Sequence, residues 1–156
     1  SRRFLTSLSA RLEAPEFSIA HGTPRKPAEE YLLTINQFKD IMAQVHVWPL
    51  FVGHSHMPLC FRAAAGTGAG AEMMFLEDRE EIVIERQPYG SSPAAFNPGS
   101  VGQPRDQDNR ASCGLYDSVK RSFRIVRVPY DIASVQRKIR EAGLPESLAL
   151  RLAFGQ

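Results

Sequence analysis

The sequence predicts an α/β protein, and three observations carry that reading. An apolar run, Trp48 to Val52, reads as a buried strand that ends at Gly53-His54-Ser55-His56. A shorter strand, Phe17 to Ala20, precedes it, with a helical pattern between the two, which is the sequence form of a parallel βαβ crossover. Later segments, Gly114 to Asp117 and Phe123 to Val128, alternate as a hairpin joined by a basic turn.

Taken in order, the first thirteen residues read as an amphipathic helix with Phe4, Leu5, Leu8 and Leu12 on one side. The chain opens on Ser1, and a helix with no preceding strand to pack on sets up the expectation that something upstream is not included. Pro15 breaks the pattern, and the strand to Ala20 runs into His21-Gly22-Thr23-Pro24-Arg25. From Pro27 to Gln44 the apolar positions Tyr31, Leu32, Ile35, Phe38, Ile41 and Met42 recur at three and four, predicting a helix with Pro at its start. Glu29 and Glu30 then fall in its first turn, where they oppose the helix dipole. A strand from Val45 to Val52 closes the crossover.

Beyond the two histidines, Leu59 to Arg62 continues as a strand. Ala63 to Ala71 is glycine-rich but lacks the lysine and hydroxyl residue of a phosphate-binding loop, and reads as a hairpin connection. Met73 to Leu76 and Ile82 to Glu85 look like two antiparallel strands around a charged turn. The stretch Ala95 to Asp106 concentrates glycine, proline, Asn97 and Ser100 in one structured loop whose amides can face an anion. Within it Arg105 can pair with a phosphate or equally with Asp106 or Asp108. Asp131 caps a helix that Gly143 stops, and a last helix opens at Pro145-Glu146.

Composition sets the class. The 156 residues, 43% hydrophobic and 23% charged, suit one soluble domain spanning 1–156. No apolar run reaches membrane-spanning length and no signal peptide opens the chain, so the cytoplasm is the default. Nineteen basic against seventeen acidic side chains is too even a balance for a nucleic-acid binder. Cys60 and Cys113 match no metal or redox spacing and read as buried, reduced thiols.

The histidines carry the chemistry. In extended backbone His54 and His56 leave on one face, about 6 to 7 Å apart at Cα, which suits two imidazoles on one metal or on each of a pair. The crossover brings His21 to the same end of the sheet, where open α/β sheets bind ligands.

With HGTPRKP, GHSHMP and NPGSVGQPRD in this order, followed by Tyr130-Asp131-Ile132 and Gly143-Leu144-Pro145, the chain resembles the calcineurin-like metallophosphoesterases, and within them the small prokaryotic branch. The resemblance implies a four-layer αββα sandwich of mixed sheets with two divalent ions, Mn, Fe, Zn or Ni, at the strand ends. It implies His21 and His54 on one ion and His56 on the other, a metal-activated water attacking a phosphate ester, and Arg25, Asn97, Ser100 and Arg105 as candidate phosphate contacts. The family's GDxH, GDxxD and GNH[DE] motifs do not occur in this sequence. The expectation is therefore the C-terminal part of such a domain, with no catalytic residue of its own, weak or partial metal binding and no turnover alone. A non-catalytic protein-interaction scaffold of the same fold is the alternative. Uncovered sheet edges favour a homo-oligomer.

Overall fold

The structure, a computed structural model, describes residues 2–64, 70–87 and 90–156. In chain order it runs α1 (Arg2–Ser7), β1 (Arg11–Glu13), β2 (Ser18–Ala20), α2 (Ile35–Met42), β3 (Leu50–Phe51), β4 (Pro58–Ala63), β5 (Ala71–Phe75), β6 (Glu81–Val83), β7 (Arg86–Gln87), β8 (Gly90–Ser91), β9 (Ala94–Pro98), β10 (Ala111–Asp117), β11 (Ser122–Val128), α3 (Ile132–Glu141), α4 (Glu146–Leu150) and a 3₁₀ turn, Arg151–Ala153. A six-stranded mixed sheet has the order β1-β2-β3-β9-β4-β5, and a three-stranded antiparallel sheet has the order β10-β11-β6. The α/β class with mixed sheets is as expected, and β2 and β3 are parallel neighbours, as a βαβ crossover requires.

Side-chain alternation sorts the core of the large sheet into two faces. Leu50, Val52, Leu59, Phe61 and Ala95 meet Leu32, Phe38, Ile41 and Val45 from α2 and its flanks. Cys60, Ala94 and Phe96 point the other way, to Phe123, Ile125 and Ile82 of the second sheet. Phe123 can reach Phe96, with ring centroids 4.6 Å apart, because its ring lies across Gly114, the β10 residue paired with Ile125. A Cβ there would lie 2.5 Å from the Phe123 ring.

Several elements differ from expectation. The first helix stops at Ser7 and residues 11–13 pair with β2 instead. The Ser7 hydroxyl donates back to the Phe4 carbonyl (2.7 Å) and Ser9 bonds both backbone groups of Arg11, local bonds that compete with helix propagation. The helix expected from Pro27 begins only at Ile35, where Thr34 and Gln37 form a capping box. Residues 22–30 form turns, with Gly22 N–H on Pro27 O (2.6 Å) and Thr23 N–H on Glu30 O (2.9 Å), so Glu29 and Glu30 do not lie in a helical turn. Leu32 reaches the core from this irregular stretch. The strand expected over 45–52 is confined to Leu50–Phe51.

β5 and β6 do not pair: β5 lies against β4, and β6 joins β11 in the other sheet. The start of the expected 95–106 loop is β9, a buried strand parallel to β3 and antiparallel to β4. Cys60 is buried as expected, but Cys113 is exposed, because its side chain lies on the outward face of β10. The α3 helix is capped by Asp131 and ends before Gly143, whose φ of +67° is the left-handed stop that glycine supplies. The glycine-rich connection falls largely on 65–69, outside the described residues.

Candidate metal centre

Two parallel strands deliver the site. His21 follows β2 and His54 follows β3 after Val52-Gly53, and Gly53 N–H donates to the His21 carbonyl at 2.8 Å, tying the two strand ends together. His21 Nε2 and His54 Nδ1 lie 3.0 Å apart. Tyr31, which the helical pattern assigned to the core, is stacked on the His54 ring at 4.1 Å with a 10° interplanar angle and limits its rotation.

The HxH is not extended. His54 and His56 have φ of +65° and +60°, a backbone state that costs a side-chain-bearing residue about 1–3 kcal/mol and persists only where surroundings impose it. The imposing residue is Asn97, 1% exposed on β9. Its Nδ2 donates to Gly53 O (2.7 Å) and to Ser55 Oγ (2.8 Å), and its Oδ1 accepts from Gly99 N–H (3.0 Å). Asn97 therefore holds the histidine turn with both of its amide hydrogens engaged.

His56 Nδ1 meets the Gln103 carbonyl at 2.8 Å. A carbonyl only accepts, so Nδ1 carries the hydrogen and the neutral ring presents a lone pair at Nε2, the usual arrangement of a ligating histidine. Burial lowers the His56 pKa, opposed by that carbonyl bond. Burial, and then the neighbouring His54, lower that of His21. Both shifts favour neutral imidazole, the form that binds metals.

Arg105 donates to Gln103 Oε1 (3.0 Å), not to Asp106 or Asp108, and its Nε is buried with no hydrogen-bond partner. The two aspartates are taken by other cations: Asp106 by buried Arg127, and Asp108 by Arg110 at 2.6 Å. Ser100 accepts from the amides of Gly102 and Gln103 inside its own loop. Arg25 is held by Glu30 and by Asp40 (3.6 Å). Arg25 and Thr23 both donate to the Glu30 carboxylate, and the Arg25 bond first, then the Thr23 bond, bring its pKa down to about 2.

These donors can be tested against a divalent ion. Two imidazole nitrogens bound to one ion at about 2.1 Å stand roughly 3.0 to 3.4 Å apart, depending on coordination angle. The His21–His54 spacing fits that range, and the tautomer of His56 fits a ligand. Donor number is the shortfall: among the described residues no group of three or more His, Cys, Asp or Glu side chains is gathered to hold an ion. The sequence pointed to all three histidines; the structure joins two and gives the third a separate anchor. Nothing in the sequence pointed to Tyr31 or Gln103 as their supports.

Comparison with known proteins agrees with this fold. No family model matches the chain. It is similar to a crystal structure of a metallophosphoesterase from Sphaerobacter thermophilus, with a TM-score of 0.86 and 36% identity, over 99% of this chain and 60% of that one. It is 33% identical over 161 residues to an uncharacterized protein of Methanocaldococcus jannaschii, across 99% of this chain and 59% of the relative. A hypothetical protein of Pyrococcus horikoshii shares the fold at a TM-score of 0.69 and 20% identity, with 54% of its chain covered. A mixed α/β sandwich with histidines at parallel strand ends thus matches a metallophosphoesterase fold over the portion this chain spans. That portion is about 60% of the length of the relatives it matches. No helix among the described residues is long and apolar enough to cross a membrane.

Proposed function

We propose that this chain supplies the histidine side of a metal-dependent phosphoesterase site of the small prokaryotic kind, as the C-terminal part of a dinuclear cytoplasmic hydrolase. The single observation that supports it is the convergence of His21 Nε2 and His54 Nδ1 to 3.0 Å at the ends of two parallel strands. In this reading His21 and His54 hold one ion and His56 holds a second. Bound divalent ions, manganese among the candidates, polarise a phosphoryl oxygen and lower the pKa of a bound water. The chain's own residues orient the ligands: Tyr31 fixes the His54 ring, Asn97 the turn, and the Gln103 carbonyl the His56 tautomer. Arg105 is the favoured phosphate contact, since its Nε has no partner, whereas Arg25, Asn97 and Ser100 are engaged and shape the surroundings. The substrate class is a phosphodiester or phosphomonoester.

Calorimetric titration with Mn or Zn, beside an aryl phosphodiester assay, tests the reading. The expected result is weak binding of one ion, at least tenfold weaker in His54→Ala, with no appreciable turnover by this chain alone. Robust hydrolysis abolished by His54→Ala would show the chain to be a complete enzyme. The shortage of gathered donors favours a second reading, a protein-interaction scaffold without metal chemistry. An unchanged calorimetric baseline at millimolar Mn would select it.

A further inference from the structure

The cations around the loop after β9 fall into two groups. Arg110 holds Asp78 at 2.9 Å and Asp108 at 2.6 Å, and buried Arg127 holds Asp106. Arg105 and Arg151, by contrast, make no ion pair among the described residues. Arg105 uses Nη2 on Gln103 Oε1, and Arg151 uses Nε on the Gln156 carbonyl. Among the described residues that leaves Arg105 Nη1 and both Nη groups of Arg151 without an acceptor. Both side chains are only partly buried, so a ligand can reach them.

The fold brings these two arginines to one place. The C-terminal turn is seated on the loop that carries Arg105: Gln107 N–H donates to Gly155 O (3.0 Å) and Asn109 Nδ2 to Ala153 O (3.0 Å). A Cβ on Gly155, whose φ is +63°, would lie 2.8 Å from the Asp108 backbone, so this approach requires glycine. Arg151 folds back over the same turn to reach Gln156. At the other end of the loop, Arg105 N–H donates to the His56 carbonyl (3.3 Å). Both positive charges act on His56, whose pKa is lowered first by burial and further by Arg105, His54 and Arg151.

The two edges of the His56 ring therefore face different chemistry. Gln103 holds Nδ1 through its carbonyl and Arg105 through its side chain, while Nε2 carries the lone pair offered to an ion. A carboxylate would balance one arginine. A phosphate brings up to two negative charges and enough oxygens to meet two guanidinium forks.

We propose that Arg105 and Arg151 form a phosphate subsite beside His56, separate from the phosphate that reacts at the metals, so that the substrate carries at least two phosphate groups. The statement about substrate rests on the phosphoesterase reading; the anion site itself requires no metal. Arg151, on the C-terminal turn, is the residue that sets this specificity.

The test titrates inorganic phosphate into the ¹⁵N-labelled full chain in chelator at constant ionic strength, following the arginine Nε–H signals. Those of Arg105 and Arg151 should shift together and saturate, with no shift when chloride replaces phosphate. Arg151→Gln should weaken phosphate binding about tenfold, the worth of a charge-assisted hydrogen bond, and Arg151→Lys should weaken it less. Arg124→Gln, at an exposed position of β11, should leave it unchanged. Absence of a saturable shift, a shift of one arginine without the other, or binding indifferent to Arg151→Gln would overturn the proposal. An equal loss in Arg124→Gln would also overturn it, in favour of attraction to net charge. Manganese affinity is measured separately on the phosphate-free chain. Phosphate taken up at both arginines by a chain that binds no Mn would sink the phosphoesterase reading and keep the anion site; Mn binding without phosphate binding would do the reverse.

Discussion

The two halves of the space between the sheets are made from one row of apolar residues yet end in different states. Where Phe96 and Cys60 stand, Phe123 and Ile125 close over them in an aromatic-rich core, with Phe51 to Phe123 at 5.5 Å. Where Ile19 and Leu12 stand, the same sheet face is open. Apolar character is therefore not what decides burial. The second sheet is three strands wide and the first is six, and coverage stops where β10 stops.

The largest effect should separate these halves. Phe123→Ala should cost about 3–5 kcal/mol in thermal or urea unfolding, the usual range for a buried aromatic, while Ile19→Ser should stay within about 0.5 kcal/mol. Equal costs would mean that the open half is closed in solution. Next comes the brace between β9 and the histidine turn. Asn97→Ala should cost about 1–3 kcal/mol, because it takes this partner from the half-buried Gly53 carbonyl and Gly99 amide and from the buried Ser55 hydroxyl. It should also weaken Mn binding, since the positive φ of His54 and His56 loses its support. A variant with unchanged affinity would show that the turn holds itself.

A smaller effect comes from the turn beside the open half. The Glu30 carboxyl has a folded-state pKa of about 2 against an ordinary 4.5, so its contribution to stability is present above about pH 4.5 and is lost as pH falls toward 2. Melting temperature should fall over that window, and Arg25→Ala should flatten part of the fall. Asp78, Asp108, Asp131 and Glu146, also lowered, keep the rest, chiefly through the Arg127 amide, Arg110, the Ser134 hydroxyl and Arg140 respectively. A slope unchanged by Arg25→Ala would remove the ion pair from the account. The smallest effect is chemical: at pH 8 Ellman's reagent should label Cys113 quickly and leave Cys60 unreacted, because burial pushes the Cys60 thiol up to about 12. Rapid labelling of both thiols would mean that the covered half opens.

The sequence was legible where a pattern is local. The strand endings at His21 and His54, the β10–β11 hairpin, the Asp131 cap and the Gly143 stop are all written in a few adjacent residues. It misled where a contact made far along the chain settled the outcome. Leu12 and Tyr31 fit a helical spacing, but Leu12 pairs with Ile19 in a strand and Tyr31 lies on a histidine ring. β9 looked like the start of a loop because its alanines carry little signal, and its place between β3 and β4 depends on residues more than thirty positions away.

By itself the sequence determined which donors the protein offers, neutral imidazoles at strand ends, since residue type and local turns need no partner to be read. Only the tertiary structure decided that His21 and His54 meet while His56 turns to Gln103, and that one half of a sheet face is buried and the other bare. Both outcomes rest on hydrogen bonds and side-chain packing between segments distant in the chain, and no spacing within a segment encodes them.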